Sequence, residues 1–247
     1  MGRWHILYQN PQTARRSNDF PDITPPGSSA IVKDTRTPAE RLFESLRREV
    51  RDPRVIAVME RVPRELFVPP GTRHLAYDDE ALPIAEGQTI SQPLIVALMT
   101  SALHLTGTEK VLEVGTGSGY QAAVLSQLAR HIVTVERKPK LAETARARLA
   151  SLGIHNVTVR PASGEIGWRD EAPYDAIIVT AAAPRIPKIL LAQLREGGRI
   201  VIPVGTRSEQ ELLVATKRGD RVELERLGGC RFVPLIGNEA FDEEPAG

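Results

Sequence analysis

The chain has 247 residues, 41% of them hydrophobic, which suits one large domain with a sizeable core, or such a domain plus an extension. Its formal net charge of +1 argues against a wide basic face for nucleic acid. A single cysteine, Cys230, rules out an intrachain disulfide and fits a reducing cytoplasm, the five histidines show no metal-ligand spacing, and no apolar run reaches membrane-spanning length.

Residues 1–36 are polar and rich in Pro, Ser and Asn, without the long apolar centre of a signal peptide, and are expected to be disordered or draped on the surface. The folded domain is expected over 37–247. Thr37-Pro38-Ala39-Glu40 has the form of a capping box with proline in the first turn, and Leu42, Phe43, Leu46 and Val50 follow as an apolar stripe. Asp52-Pro53 opens a second helix carrying Val55, Ile56, Val58 and Met59, closed by Pro63. The run Val62–Pro70 (VPRELFVPP) reads as a turn and an extended arm. Ala76–Pro93 has little periodicity and many special residues, the mark of an irregular functional segment. A helix over Leu94–Leu105 leads into the next strand.

Val111–Gln121 (VLEVGTGSGYQ) is an apolar run, three glycines at alternate positions, and a helical pattern starting at once. That is a strand, a tight loop and a helix start, in which glycine permits positive φ and close approach of a ligand to the backbone. The dinucleotide fingerprint would need a third glycine where Tyr120 stands, which disfavours an NAD oxidoreductase. His131–Glu136 is the next strand, and a carboxylate at its end can accept from both hydroxyls of a ribose, as the acid ~20 residues beyond a dinucleotide loop does.

A helix over Pro139–Leu152 ends at Gly153; Asn156–Arg160 and the continuous apolar run Tyr174–Thr180 are strands, the latter buried on both faces. Pro187–Leu194 reads as a helix stopped by Glu196-Gly197-Gly198, Arg199–Val204 as a strand, and Glu211–Thr216 with Arg221–Glu225 as a hairpin turning at Lys217-Arg218-Gly219-Asp220. This order predicts a doubly wound α/β sheet, mostly parallel with an antiparallel edge, under a helical N-terminal cap.

Gly115-x-Gly117-x-Gly119 preceded by Glu113 resembles the cofactor loop of class I, Rossmann-like methyltransferases. The segments RVPRELFVPP, AYDDEALPI, GQTISQP, VLEVGTGSGYQ, APYDAIIVTAAAP, LREGGRIVIPVG and RFVPLIG together resemble the protein-L-isoaspartate O-methyltransferases, from about Thr37 to Gly237. The resemblance implies methyl transfer from S-adenosyl-L-methionine, leaving S-adenosyl-L-homocysteine, to the free α-carboxylate of L-isoaspartyl residues in damaged proteins. The ester then closes without enzyme to a succinimide, whose hydrolysis regenerates some normal aspartate.

It implies Ser91 as the active-site serine, Thr89, Ala182 and Val204 as substrate walls, and Glu113, Gly115, Thr116, Gly117, Ser118, Gly119, Glu136, Ser163 and Gly164 around the cofactor. No metal, nucleic acid or membrane is expected, and a cytoplasmic monomer is. Ser91 also reads as a helix N-cap. Ser163 stands where the family carries an aspartate for the adenine amine, so a weaker neutral acceptor is expected there. A class I methyltransferase acting on another carboxylate, or a non-catalytic binding relative, are the alternatives.

Overall fold

The computed structural model describes residues 35–243; the expected extension lies outside the described residues except for Thr35 and Arg36. Helix α1 (Pro38–Glu49) begins at the expected capping box: Glu40 N donates to Thr37 Oγ1 at 3.2 Å, and Thr37 N to Glu40 Oε2 at 2.6 Å. Helix α2 (Pro53–Arg61) is capped by Asp52, and the two helices bury their predicted stripes. The expected turn is a 3-10 turn, Arg64–Phe67, and the extended arm after it is only Val68 and Pro69 before a second 3-10 turn, Pro70–Leu75. These turns swing Arg64 and Phe67 inward, where each is only 1% exposed.

The irregular stretch contains a two-residue ribbon, β1 (Leu82–Pro83) against β2 (Thr89–Ile90), antiparallel, with Leu82 opposite Ile90 and Pro83 opposite Thr89. Helix α3 (Pro93–Ala102) follows, ending earlier than expected as His104 turns to φ +53°.

The main sheet then forms in chain order: β3 (Lys110–Val114), α4 (Tyr120–Ser126), β4 (His131–Glu136), α5 (Pro139–Ser151), β5 (Val157–Pro161), β6 (Tyr174–Val179), α6 (Lys188–Gln193), β7 (Leu194–Gly205), β8 (Gln210–Arg218) and β9 (Arg221–Cys230). The strand order is β5-β4-β3-β6-β7-β8-β9, parallel through β7 and antiparallel beyond it. The predicted class I methyltransferase sheet with its antiparallel edge is what forms. Glu196-Gly197-Gly198, read as a helix stop, lies inside β7 at an irregular register opposite Tyr174–Ala176. Gly198 is required there, because a Cβ would sit 2.9 Å from Asp175 O.

Alternate residues of the central strands feed opposite layers: Leu112, Val114, Ile177 and Val179 pack to one side, Val111, Ala176 and Ile178 to the other. The chain runs outward from β3 through β4 to β5, then crosses to β6 on the other side of β3. The carboxyl end of β3 is therefore the place where strand order reverses, and open α/β sheets bind ligands at that crevice.

Glu113 interrupts this apolar strand. It is fully buried, and neither carboxyl oxygen has a hydrogen-bond partner among the described residues. Burial pushes its carboxyl up to about 8 from an ordinary 4.5; the neighbouring Thr134 hydroxyl opposes the rise and the Glu136 charge adds to it. The folded chain thus holds a proton that the unfolded chain releases. That linkage stabilises fully below pH 4.5 and is lost as pH climbs to about 8. Glu113→Gln keeps the shape without the ionisation. Urea unfolding at pH 5.5, 7 and 8 should show the stability gap moving steadily in favour of Gln, by a few kcal/mol at roughly 1.4 kcal/mol per pKa unit. A gap that does not change with pH would mean the carboxyl is ionised in the fold.

Candidate active site

Tight constraints hold the loop after β3. Gly115 N donates to Val135 O at 2.9 Å, tying the loop to β4. On the β6 side, Thr180 Oγ1 donates to Gly115 O at 2.6 Å. At Gly115, φ is +101° and a Cβ would lie 2.3 Å from Thr180 Oγ1, so only glycine fits. Gly119 N closes a turn on Thr116 O at 2.8 Å, and the Thr116 and Thr134 hydroxyls share a 2.7 Å hydrogen bond beneath it.

Glu136, at the end of β4, is the electrostatic partner of this loop. One carboxylate oxygen accepts from Gly117 N and the other from Lys138 N, both at 2.8 Å. Each oxygen keeps a further lone pair. The side chain is 7% exposed and forms part of the wall of a cavity of about 460 Å³ at the carboxyl ends of β3, β4 and β6. That size is ordinary for a small-molecule site, ~300–1,000 Å³.

On the opposite wall stands the β1–β2 segment, with Thr89 and Ser91. Ser91 is not a helix cap. The amide of Leu94 donates to Asp79 Oδ1 at 2.8 Å, and Gln92 Nε2 donates to Asp79 Oδ2 at 2.9 Å, so a carboxylate thirteen to fifteen residues upstream caps α3. The Ser91 carbonyl takes a 2.8 Å bond from Arg64 Nη2, while no described residue hydrogen-bonds its hydroxyl. A secured backbone with an uncommitted hydroxyl on a cavity wall is the arrangement a ligand-orienting serine needs.

The structure gathers Ser91, Thr89, Gly115, Thr116, Gly117, Ser118, Glu136 and Gly164 around this one cavity. Five predicted residues stand off the wall. Glu113 lies under the loop in the core. Gly119 backs onto α5, with a Cβ 3.3 Å from that of Ala145. Ser163 is exposed, and Ala162, Gly164 and Glu165 beside it reach the wall in its place. Ala182 and Val204 sit one layer behind. Ala182 N donates to Val233 O at 2.8 Å and Leu235 N to Ala182 O at 2.7 Å, while Val204 pairs with Ala183. Ala182 thus carries the segment Val233–Ile236, which forms the wall itself.

That segment is the main part of the site not assigned from sequence. Its residues show no periodicity, and long-range or late pairings place them, to Ala182 on one side and to Phe241 on the other. Arg207 lies at the same rim; it donates to Asp242 O at 2.7 Å and its guanidinium stands 5.0 Å from the Phe241 ring centroid. Arg137 reaches Glu243 Oε1 at 2.7 Å, so the C-terminal segment is fastened beside the mouth from both sides. Tyr120, another wall residue, has its phenol pushed up to about 12 by burial, with Arg64 opposing.

The family model for protein-L-isoaspartate(D-aspartate) O-methyltransferase matches residues 37–240. Among curated proteins, the protein-L-isoaspartate O-methyltransferase 2 of Pelobacter propionicus is 55% identical over 196 residues, 78% of this chain and 87% of the relative. A solved protein-L-isoaspartate O-methyltransferase superposes with a TM-score of 0.73 at 30% identity, covering 82% of this chain and 67% of the other. A structure from Plasmodium falciparum, described as a protein-L-isoaspartate O-methyltransferase in complex with S-adenosyl-L-homocysteine, gives 0.68 at 25% identity, covering 81% of this chain and 99% of its own. A match spanning nearly all the described residues, on a fold that sets a glycine loop opposite an uncommitted serine, leaves one conclusion: the chain belongs to the protein-L-isoaspartate(D-aspartate) O-methyltransferase family.

Proposed function

We propose that this chain transfers a methyl group from S-adenosyl-L-methionine to the free α-carboxylate of L-isoaspartyl residues in damaged proteins, and that Ser91 orients that carboxylate. The observation carrying the assignment of roles is the Ser91 hydroxyl, bonded to no described residue, across one cavity from a glycine loop and carboxylate suited to a nucleoside. The donor set fits the cofactor. Glu136 retains lone pairs for two ribose hydroxyls, Gly115, Thr116, Gly117 and Ser118 offer close backbone, and Val135, Ile166 and Leu235 supply apolar walls. When bound, S-adenosyl-L-methionine supplies an electrophilic methyl on a positively charged sulfur.

The chain's own residues have little acid–base work to do. A substrate carboxylate with an ordinary pKa of ~4 is already ionised at neutral pH, so no general base is required. The task is alignment and exclusion of water. Ser91 donates to one carboxylate oxygen and leaves the other to attack the methyl; a single neutral hydroxyl holds the anion without quenching it. Thr89 lines the same wall and assists. The adenine falls to the 162–166 loop, where Gly164 and Glu165 reach the wall and Ser163 does not. Action on protein rather than nucleic acid, a monomeric state and a cytoplasmic location belong to the same proposal, supported by the near-neutral charge and the single cysteine.

Three measurements test these assignments. Labelled S-adenosyl-L-methionine should methylate an isoaspartyl peptide and leave its aspartyl twin nearly untouched; equal labelling of the two would point to another substrate. Because the Ser91 hydroxyl has no hydrogen-bond partner among the described residues, Ser91→Ala should leave the melting temperature and S-adenosyl-L-homocysteine affinity unchanged. Its kcat/KM should nevertheless fall by the loss of a hydrogen bond to a charged group, about 1.5–3 kcal/mol. A drop in melting temperature with normal turnover would restore the capping role. Glu136→Ala should weaken S-adenosyl-L-homocysteine binding by at least about 1.5–3 kcal/mol in calorimetry, since it removes the ribose acceptor and the anchor of Gly117 together. Unchanged affinity would take Glu136 out of the cofactor site.

A further inference from the structure

Arg64 is an anomaly in the core. It is 1% exposed, and among the described residues it forms no salt bridge and its Nη1 has no hydrogen-bond partner. Burial works against its charge, with Tyr120 and Asp79 in partial compensation, and a buried cation without an ion-pair partner is costly and needs a reason. Its contacts supply one. Nη2 donates to Ser91 O at 2.8 Å and Nε to Ala76 O at 2.9 Å. Its guanidinium carbon lies 4.9 Å from the centroid of the Tyr120 ring, at the end of the glycine loop.

The contacts continue past Tyr120. Phe67 meets that ring edge-on, with centroids 5.3 Å apart and planes at 68°. Arg148, from α5, stands 5.6 Å from the Phe67 centroid and donates through Nη1 to Ser118 O at 2.6 Å. The unbroken series Ser91 O, Arg64, Tyr120, Phe67, Arg148, Ser118 O therefore joins the backbone of the substrate-side serine to the backbone of the cofactor loop. Neither arginine lies on the cavity wall. Two of its four side chains, Arg64 and Phe67, come from the single 3-10 turn Arg64–Phe67.

We infer that Arg64 and Arg148 are positioning residues: through Tyr120 and Phe67 they set the distance between Ser91 and the glycine loop, and so the alignment of carboxylate with methyl. The inference rests on the roles proposed above for Ser91 and the loop. The stake is large, because a 1 Å misplacement of reacting groups can cost ~10²-fold in rate. The planar fork suits Arg64, which must donate in two directions while stacking on a ring; lysine offers a point charge and cannot do both.

The test uses Arg64→Met, Arg64→Lys and Arg148→Met in the full chain. Arg148 is only half-buried, so its variant stays informative if Arg64→Met does not fold. S-adenosyl-L-homocysteine affinity by calorimetry should stay within about threefold of wild type, while kcat for the isoaspartyl peptide at saturating cofactor falls about tenfold or more in both Met variants, as misalignment requires. Arg64→Lys should not rescue it. Amide hydrogen exchange over Thr89–Gln92 provides a readout without substrate. Adding S-adenosyl-L-homocysteine should slow exchange there in wild type and not in either Met variant. Folded Met variants with normal kcat and wild-type exchange behaviour would overturn the strut and leave Arg64 as packing alone. Absence of methyl transfer by the wild-type chain would instead count against the function, with the exchange comparison still deciding the strut.

Discussion

The site depends on one crowded junction, where the carbonyl of Gly115 takes the Thr180 hydroxyl at 2.6 Å and leaves no room for a Cβ. From β4, Glu136 and Val135 O hold the same loop by its amides. A loop gripped from both neighbouring strands cannot collapse into the crevice between them. The crevice therefore persists as a cavity, and the loop's backbone is presented at fixed positions along its wall. Glu136 does two things at once here. It orders the loop with one lone pair on each oxygen and keeps the others unused, so the ribose contact proposed for it falls on the same side chain that anchors the loop.

The opposite wall follows a different principle. The β1–β2 ribbon is only two residue pairs long and could not hold itself. Its stability comes from outside: Asp79 grips Gln92 and Leu94, and Arg64 grips the Ser91 carbonyl. Helix α6 is treated the same way, its first amide donating to Glu239 at 2.5 Å from fifty-one residues away. With Asp79 satisfying the start of α3, whose N-cap position is Gln92, the Ser91 hydroxyl one residue earlier takes no part in capping and stands uncommitted at the cavity wall.

The chemistry is consistent with this economy. Methylating an ionised carboxylate needs geometry more than proton transfer, and no histidine is among the described residues that line the walls. The segment Val233–Ile236, carried by Ala182, completes the enclosure, and the chain beyond it is fastened at Asp242 by Arg207 and at Glu243 by Arg137. Ser163, which stands where the resemblance leads one to expect an acid, is not among the residues of this wall; Glu165, two residues on, is the carboxylate in that loop that lines it.

What the sequence determined by itself are the features written in short-range patterns. The capping box at Thr37, the apolar stripes of α1 and α2, the buried strands β3, β4 and β6, the hairpin turning at Gly219 and the glycine loop all rest on contacts within a few residues or on a period of 2 or 3.6. The place of Glu136 at the wall was legible from its offset to the glycine loop, whereas Ser91 was reached only through the resemblance carried by GQTISQP. The tertiary structure alone decided that Glu113 is a core residue, that Glu196-Gly197-Gly198 is strand, that Ala182 and Val204 stand behind Val233–Ile236, and that Arg64 reaches Ser91 across twenty-seven positions. Those facts depend on pairings between segments far apart in the chain. No local propensity encodes such pairings, because the energy that selects them exists only once the sheet has brought the partners together.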